Sequence, residues 1–133
     1  MENALWPFAP RYSAEATPFW QACREHRLVL PWCPACTRHF WPASVLCPHC
    51  GAFVSYWKEA SGRGTVYAFT VFHRAFHPAL EAFLPYVVAT VQMDEGVLLS
   101  ANLASENVAC GSRVTLGFKD FENHSLPEFH LLE

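Results

Sequence analysis

The chain has 133 residues, of which 52% are hydrophobic and only 16% charged, so it carries enough apolar material for a core and does not have the composition of a disordered polymer. Its formal net charge is −3 and its only lysines are Lys58 and Lys119, which argues against nucleic-acid binding by charge, since that needs a concentrated basic face. No apolar run approaches the roughly 20 residues that cross a bilayer, and Met1–Pro10 lacks the basic and apolar segments of a secretory signal; the expectation is a cytoplasmic protein without a membrane partner.

Residues 1–16, with Trp6-Pro7-Phe8 and Pro10, read as an extended arm. Thr17 is a good helix cap and Pro18 a good first helical residue. Phe19, Trp20, Ala22 and Cys23 then form an apolar stripe that fades near His26-Arg27. Such a helix is shorter than the roughly 12–15 residues that are marginally stable alone, so it must dock on something.

Leu28–Trp32 reads as a short strand, and Phe40–Pro42 leads toward a second cysteine pair. Beyond residue 53 the pattern is all β, with strands expected at Val54–Ala60, Thr65–His73, Tyr86–Met93, Val97–Leu103, Arg113–Lys119 and Pro127–Leu132. Ser61-Gly62-Arg63-Gly64 bends the first long strand, Asp94-Glu95-Gly96 makes a hairpin turn, and Asp120–Ser125 is a polar loop. The expected fold is mainly β: an N-terminal helix and a rubredoxin-like zinc ribbon over residues 1–52, then a five-stranded OB-fold barrel over 53–133.

Cys33-Pro34-Ala35-Cys36 and Cys47-Pro48-His49-Cys50 are two Cys-x-x-Cys knuckles separated by ten residues. Two residues between ligands let both sulfurs of a tight turn face one ion, and two such turns supply four thiolates to a tetrahedral site. Zinc is the expected metal. Rubredoxin-type iron uses the same ligands, and a redox dithiol is a further reading. His39 and His49 lie close enough to replace a thiolate, although a surface or supporting role suits them better. A closed shell of four sulfurs leaves no position for water or substrate, which makes the site structural.

These residues carry a family resemblance. Phe19-Trp20 with His26-Arg27-Leu28, the cysteine quartet, Ser61-Gly62-Arg63-Gly64-Thr65-Val66-Tyr67, Val71-Phe72-His73-Arg74, Pro85-Tyr86-Val87-Val88, and Asp94-Glu95-Gly96 with Ala101-Asn102-Leu103 resemble the zinc-ribbon/OB-fold accessory subunits of thiolase-like and aldolase acyl-CoA enzymes. The resemblance runs from about Phe19 to Leu132. It implies a tight complex with a thiolase-like subunit, such as a heterotetramer, and a share in holding the CoA thioester as a ligand common to both subunits. Branches of the family serve thiolases of aromatic degradation, including benzoylsuccinyl-CoA types, steroid side-chain shortening and acetoacetyl-CoA metabolism.

Thiolase chemistry needs a nucleophilic Cys with His bases and oxyanion donors. Only Cys23 and Cys110 remain once a metal takes four, one on the apolar stripe and one in a turn with no base near it in sequence. The chain is therefore expected not to be catalytic alone. Arg63, His73, Arg74 and His77 are candidate contacts for acyl-CoA or the partner, because an Arg fork suits phosphate and loops on a rigid barrel often bind. The surplus aromatics Trp6, Phe8, Phe19, Trp20, Trp32, Phe40 and Trp41 exceed what a small ribbon can bury, which points to a partner interface formed chiefly by Trp6, Phe8, Phe19, Trp20 and Trp41. Asp120, Glu122, Asn123 and His124 read as a solvated loop tip. The competing function is a nucleic-acid module, since OB folds and ribbons also serve there; autonomous thioester hydrolysis is a third.

Overall fold

The computed structural model describes residues 13–122 and 124–132; the expected arm, with Trp6 and Phe8, and Asn123 lie outside them. A 3-10 turn at Ala14–Ala16 runs straight into helix α1, Thr17–Arg24. Thr17 is thus not the cap. The turn already holds it in helical backbone geometry, so Ala16 takes the cap position and offers no side-chain acceptor. Pro18 stands in the first turn, where a missing N–H costs nothing. The helix ends when Glu25 and Arg27 both donate to the Ala22 carbonyl and His26 turns left-handed at φ 60°. Phe19, Ala22 and Cys23 make its buried face.

Strand β1, Val29–Cys33, is the centre of a three-stranded antiparallel sheet. On one side it pairs with β2, Arg38–His39, and on the other with β3, Trp57–Glu59. The strand expected at Val54–Ala60 shortens to β3 because its first part is claimed by the second knuckle. Val54 N–H donates to the Val45 carbonyl, and Cys47 N–H to that of Ala52. β3 therefore lies in the ribbon's sheet, through pairs such as Leu30 with Lys58, although the sequence groups it with the barrel.

The barrel comprises β4 (Arg63–Phe72), β5 (Tyr86–Met93), β6 (Leu98–Leu103), β7 (Arg113–Asp120) and β8 (Ser125–Leu131). It closes in the order β4-β5-β6-β8-β7, with β6 and β8 parallel and β7 returning to β4, as the OB class requires. An irregularity between Val66 and Ala68 lets the long β4 curve from one pairing to the other. Asp120 pairs with Ser125, so the ladder of β7 and β8 reaches both ends of the expected polar loop.

Alternation along β5 sends Val87, Ala89, Val91 and Met93 inward. They meet Val66, Leu99, Leu103, Val114 and Phe129, and the same core takes in Phe19, Cys23, Leu28 and Leu30 from the N-terminal half. Each large side chain so buried contributes about 1.5–3 kcal/mol, and this shared burial docks the short helix. The ribbon keeps a small separate cluster of Cys33, Phe40, Cys47 and Val54.

Candidate metal centre and binding surfaces

The knuckles bring the Sγ atoms of Cys33, Cys36, Cys47 and Cys50 within 4.8 Å of one another. Cys33 to Cys50 is 3.6 Å and Cys36 to Cys47 is 3.8 Å. Four sulfurs at about 2.3 Å from a tetrahedral zinc would be separated by about 3.8 Å, so the donor set fits that ion. The β1–β2 turn shapes the first knuckle: Thr37, left-handed at φ 56°, donates its N–H to the Cys33 carbonyl. In the second, Gly51 at φ 81° donates likewise to the Cys47 carbonyl, while His49 N–H points to Cys47 Sγ at 3.3 Å. Neither histidine belongs to the four-sulfur cluster. His39 is buried with Nδ1 donating to the Pro31 carbonyl at 3.2 Å, and His49 is exposed.

The other two cysteines differ. Cys23 is fully buried, and burial pushes its thiol up to about 12, which makes it inert at neutral pH. Cys110 is exposed in the turn before β7.

The candidate contacts do not form one cluster. β4 runs from Arg63 to Phe72, a path of roughly 30 Å at strand rise, so Arg63 stands at the opposite end from His73, Arg74 and His77. Arg63 sits beside Asp94, which also accepts two hydrogen bonds from Arg113 at 2.8 and 3.1 Å. His77 caps the 3-10 helix Pro78–Phe83 by accepting the Ala79 N–H on Nδ1. Arg74 lies over the Phe76 ring at 5.8 Å. Phe72 stacks on Tyr86 at 4.8 Å and meets Phe76 edge-on. The result is an aromatic, basic rim at one end of the barrel, where Phe76 is 72% exposed.

The aromatic reading needs correction. Phe19 is 2% exposed, wedged between Trp20 and Trp41 at 4.9 and 4.5 Å, so it fills the core and has no face for a partner. Phe40 is buried too, and Trp20 and Trp41 pack partly against the core. The barrel supplies burial that a ribbon alone lacks. Large exposed aromatics lie elsewhere: Phe53 and Tyr56 on the ribbon, Tyr67 and Phe76 on the barrel.

A polar clasp at the helix–barrel seam escaped sequence reasoning. Arg24 Nη1 donates to the Phe121 carbonyl, His26 meets Asp120, and Ser125 Oγ donates to Asp120. The expected solvated tip is thus partly structural, and hydrogen bonds from Ser125 and His26 hold the Asp120 carboxyl below its usual value. Ser125 is 2% exposed, so this Ser, Asp and His cannot act as a nucleophilic set on substrate. Among the described residues no helix is long and apolar enough to cross a membrane.

Comparison with known proteins fits this architecture. Residues 20–54 match the ChsH2 rubredoxin-like zinc ribbon model and residues 57–119 the ChsH2 C-terminal OB-fold model. A solved structure described as "Ltp2-ChsH2(DUF35) aldolase" superposes with TM-score 0.82 at 35% identity, covering 92% of this chain and 98% of that one. A DUF35-family protein of unknown function from Sulfolobus solfataricus, at 16% identity and TM-score 0.65, shares the fold. A probable enoyl-CoA hydratase alpha subunit of Thermomonospora curvata is 40% identical over 84% of this chain but 36% of its own length. The 3-oxo-4,17-pregnadiene-20-carboxyl-CoA hydratase alpha subunit of Mycobacterium tuberculosis is 28% identical over 88% of this chain and 38% of its own. The chain thus spans little more than a third of these curated relatives.

Proposed function

The chain belongs to the ChsH2 (DUF35) family of zinc-ribbon and OB-fold proteins, and from that premise we propose that it is the non-catalytic, zinc-stapled subunit of a cytoplasmic thiolase-superfamily complex that makes or cleaves a C–C bond in a CoA thioester. The observation that carries this reading is the match over 98% of the chain described as part of an Ltp2-ChsH2(DUF35) aldolase. The hydratase relatives support CoA-thioester work, but much of their length lies beyond the matched part, so the aldolase-type role is favoured.

The chain's own residues fit an accessory role. Four of the six thiols are committed to a closed site, Cys23 is buried, and Cys110 alone is left exposed, in the turn before β7. Arg74, His73 and His77 stand on the barrel rim beside exposed Phe76, where a guanidinium and an aromatic surface suit contact with acyl-CoA or the partner. Trp20 and Trp41, partly buried against the core, are a second stretch for that contact. Structural zinc would hold the two knuckles in place; the acyl chemistry belongs to the partner. A nucleic-acid module is disfavoured by the net charge of −3.

Co-expression with a thiolase-like aldolase subunit tests the reading. One stable hetero-oligomer, a heterotetramer for example, should elute as a single species, and Phe76→Glu should weaken it about thirtyfold, as loss of a central aromatic anchor does. A partner that is fully active alone, with no complex detected, would overturn it.

A further inference from the structure

β4 is paired on both edges for only part of its length. Its ladder with β5 runs from Gly64 to Phe72, whereas its ladder with β7 covers Arg63, Gly64 and Thr65. Two further bonds prolong that second edge by one residue: Val66 N–H donates to the Ser112 carbonyl, and Gly111 N–H to that of Val66. The irregularity between Val66 and Ala68 then turns the strand away. From Ala68 to Phe72 the edge facing away from β5 meets no strand among the described residues.

Burial changes at the same point. Val66 is buried, but no residue from Tyr67 to Phe72 is, whereas the neighbouring β5 keeps its strict inward alternation. Phe69 and Val71 pack against the core and stay only half-buried. Alternation then places Ala68, Thr70 and Phe72 on the outer face, where Thr70 is exposed.

An open edge is ordinarily guarded by a charge, a proline or a very short strand. Val66–Phe72 contains neither a charged residue nor a proline, and Ala68–Phe72 is about as long as an ordinary strand. Such an edge is a template for another strand.

Its own sequence is self-complementary. Laid antiparallel on a second copy about a two-fold axis at Thr70, Ala68 faces Phe72 of the other copy and Phe69 faces Val71. Small meets large on the outer face, aromatic meets β-branched on the inner one, and Thr meets Thr at the axis; the last two are favourable cross-strand pairs. A two-fold contact sets any charge close to its own copy, and this segment carries none. A second copy thus supplies a strand of matching length, matching side chains and no repulsion.

We propose that two copies of this chain join through the open edges of β4, with Ala68–Phe72 paired antiparallel about Thr70. The two barrels then share one continuous sheet. This pairing does not depend on the aldolase-type reading, because the edge belongs to the chain itself.

Sedimentation velocity of the zinc-loaded full-length chain over a concentration series tests it. The chain should pass from monomer to a species of twice the mass as concentration rises. Thr70→Lys sets two like charges face to face at the axis and should weaken association about tenfold or more, with circular dichroism and zinc content unchanged. Thr70→Glu should do the same, and Thr70→Val should keep the dimer. Mixing the Lys and Glu variants should restore association, since unlike charges then meet at the axis; a damaged fold would not be repaired by mixing. A monomer at every concentration, association indifferent to both charged variants, or a mixture as weak as either variant alone would overturn the proposal. So would a chain monomeric by itself that gains hydrogen-exchange protection over 68–72 only with the aldolase subunit, which would give the edge to that subunit.

Discussion

His26 Nε2 stands 2.9 and 3.0 Å from the two carboxylate oxygens of Asp120, joining residues 94 positions apart across the seam between α1 and the β7–β8 hairpin. The His26 ring also stacks on Phe118 at 5.5 Å, so the left-handed residue that ends the helix fixes its direction against the barrel.

The clasp gives stability an acid limb. Ser125 and His26 hold the Asp120 carboxyl below its ordinary value, so the folded state binds fewer protons there than the unfolded chain. The contribution is complete above the unfolded value of about 3.9 and is lost as pH falls through the lower folded value. Asp120→Asn should lower the urea midpoint at neutral pH by an amount worth under about 1 kcal/mol, since the pair is exposed. Measured from pH 6 to 2.5, its gap from the parent should close at the acid end.

His124 gives a second limb nearer neutrality. It stacks on Phe121 at 5.0 Å with both ring nitrogens shielded from solvent, and burial, helped by Arg24, lowers its pKa. The neutral ring is the folded form, so this contribution is full above the unfolded value of about 6.5 and is lost as pH falls below it. His124→Phe should flatten the fall in melting temperature between pH 7 and 5. An unchanged slope would place that titration elsewhere.

Phe19 separates core from interface. Because it is 2% exposed, Phe19→Ala should destabilise the isolated chain by about 3–5 kcal/mol. A variant with parental stability and only weaker partner binding would return Phe19 to the interface.

Gly64 is held by close approach. A Cβ there would lie 2.6 Å from the Gln92 carbonyl oxygen and 2.6 Å from Val91 Cγ1, where β4 pairs with both β5 and β7. Backbone cannot yield as a side-chain tip can, so Gly64→Ala should cost about 1–3 kcal/mol, read as a lower melting temperature.

Metal analysis should find one zinc per chain, and Cys47→Ser should remove it. Hydrogen exchange should then lose protection first over 33–54, where the ribbon has only the small cluster of Cys33, Phe40, Cys47 and Val54 to replace the metal. Iron in the purified protein would reassign the site.

Local chemistry was legible. Two Cys-x-x-Cys knuckles announce a tetrahedral site because each sits within one turn, and strict alternation marks Tyr86–Met93 at both its ends. Long-range partners were not. Val54 looks like strand but is bonded to Val45, and Asp120 looks solvated until His26 is folded against it. Arg63 and Arg74 seem near in sequence, yet an extended strand carries them to opposite ends of the barrel.

The sequence by itself therefore determined the metal-ligand set, the β-rich barrel and most of its strands, since these depend on residue type and on spacing over a few positions. Tertiary structure alone decided which aromatics are core, where β3 pairs, how the helix is clasped and where β4 parts from β7. Each depends on groups distant in the chain meeting in space, and burial or pairing there has no local signature.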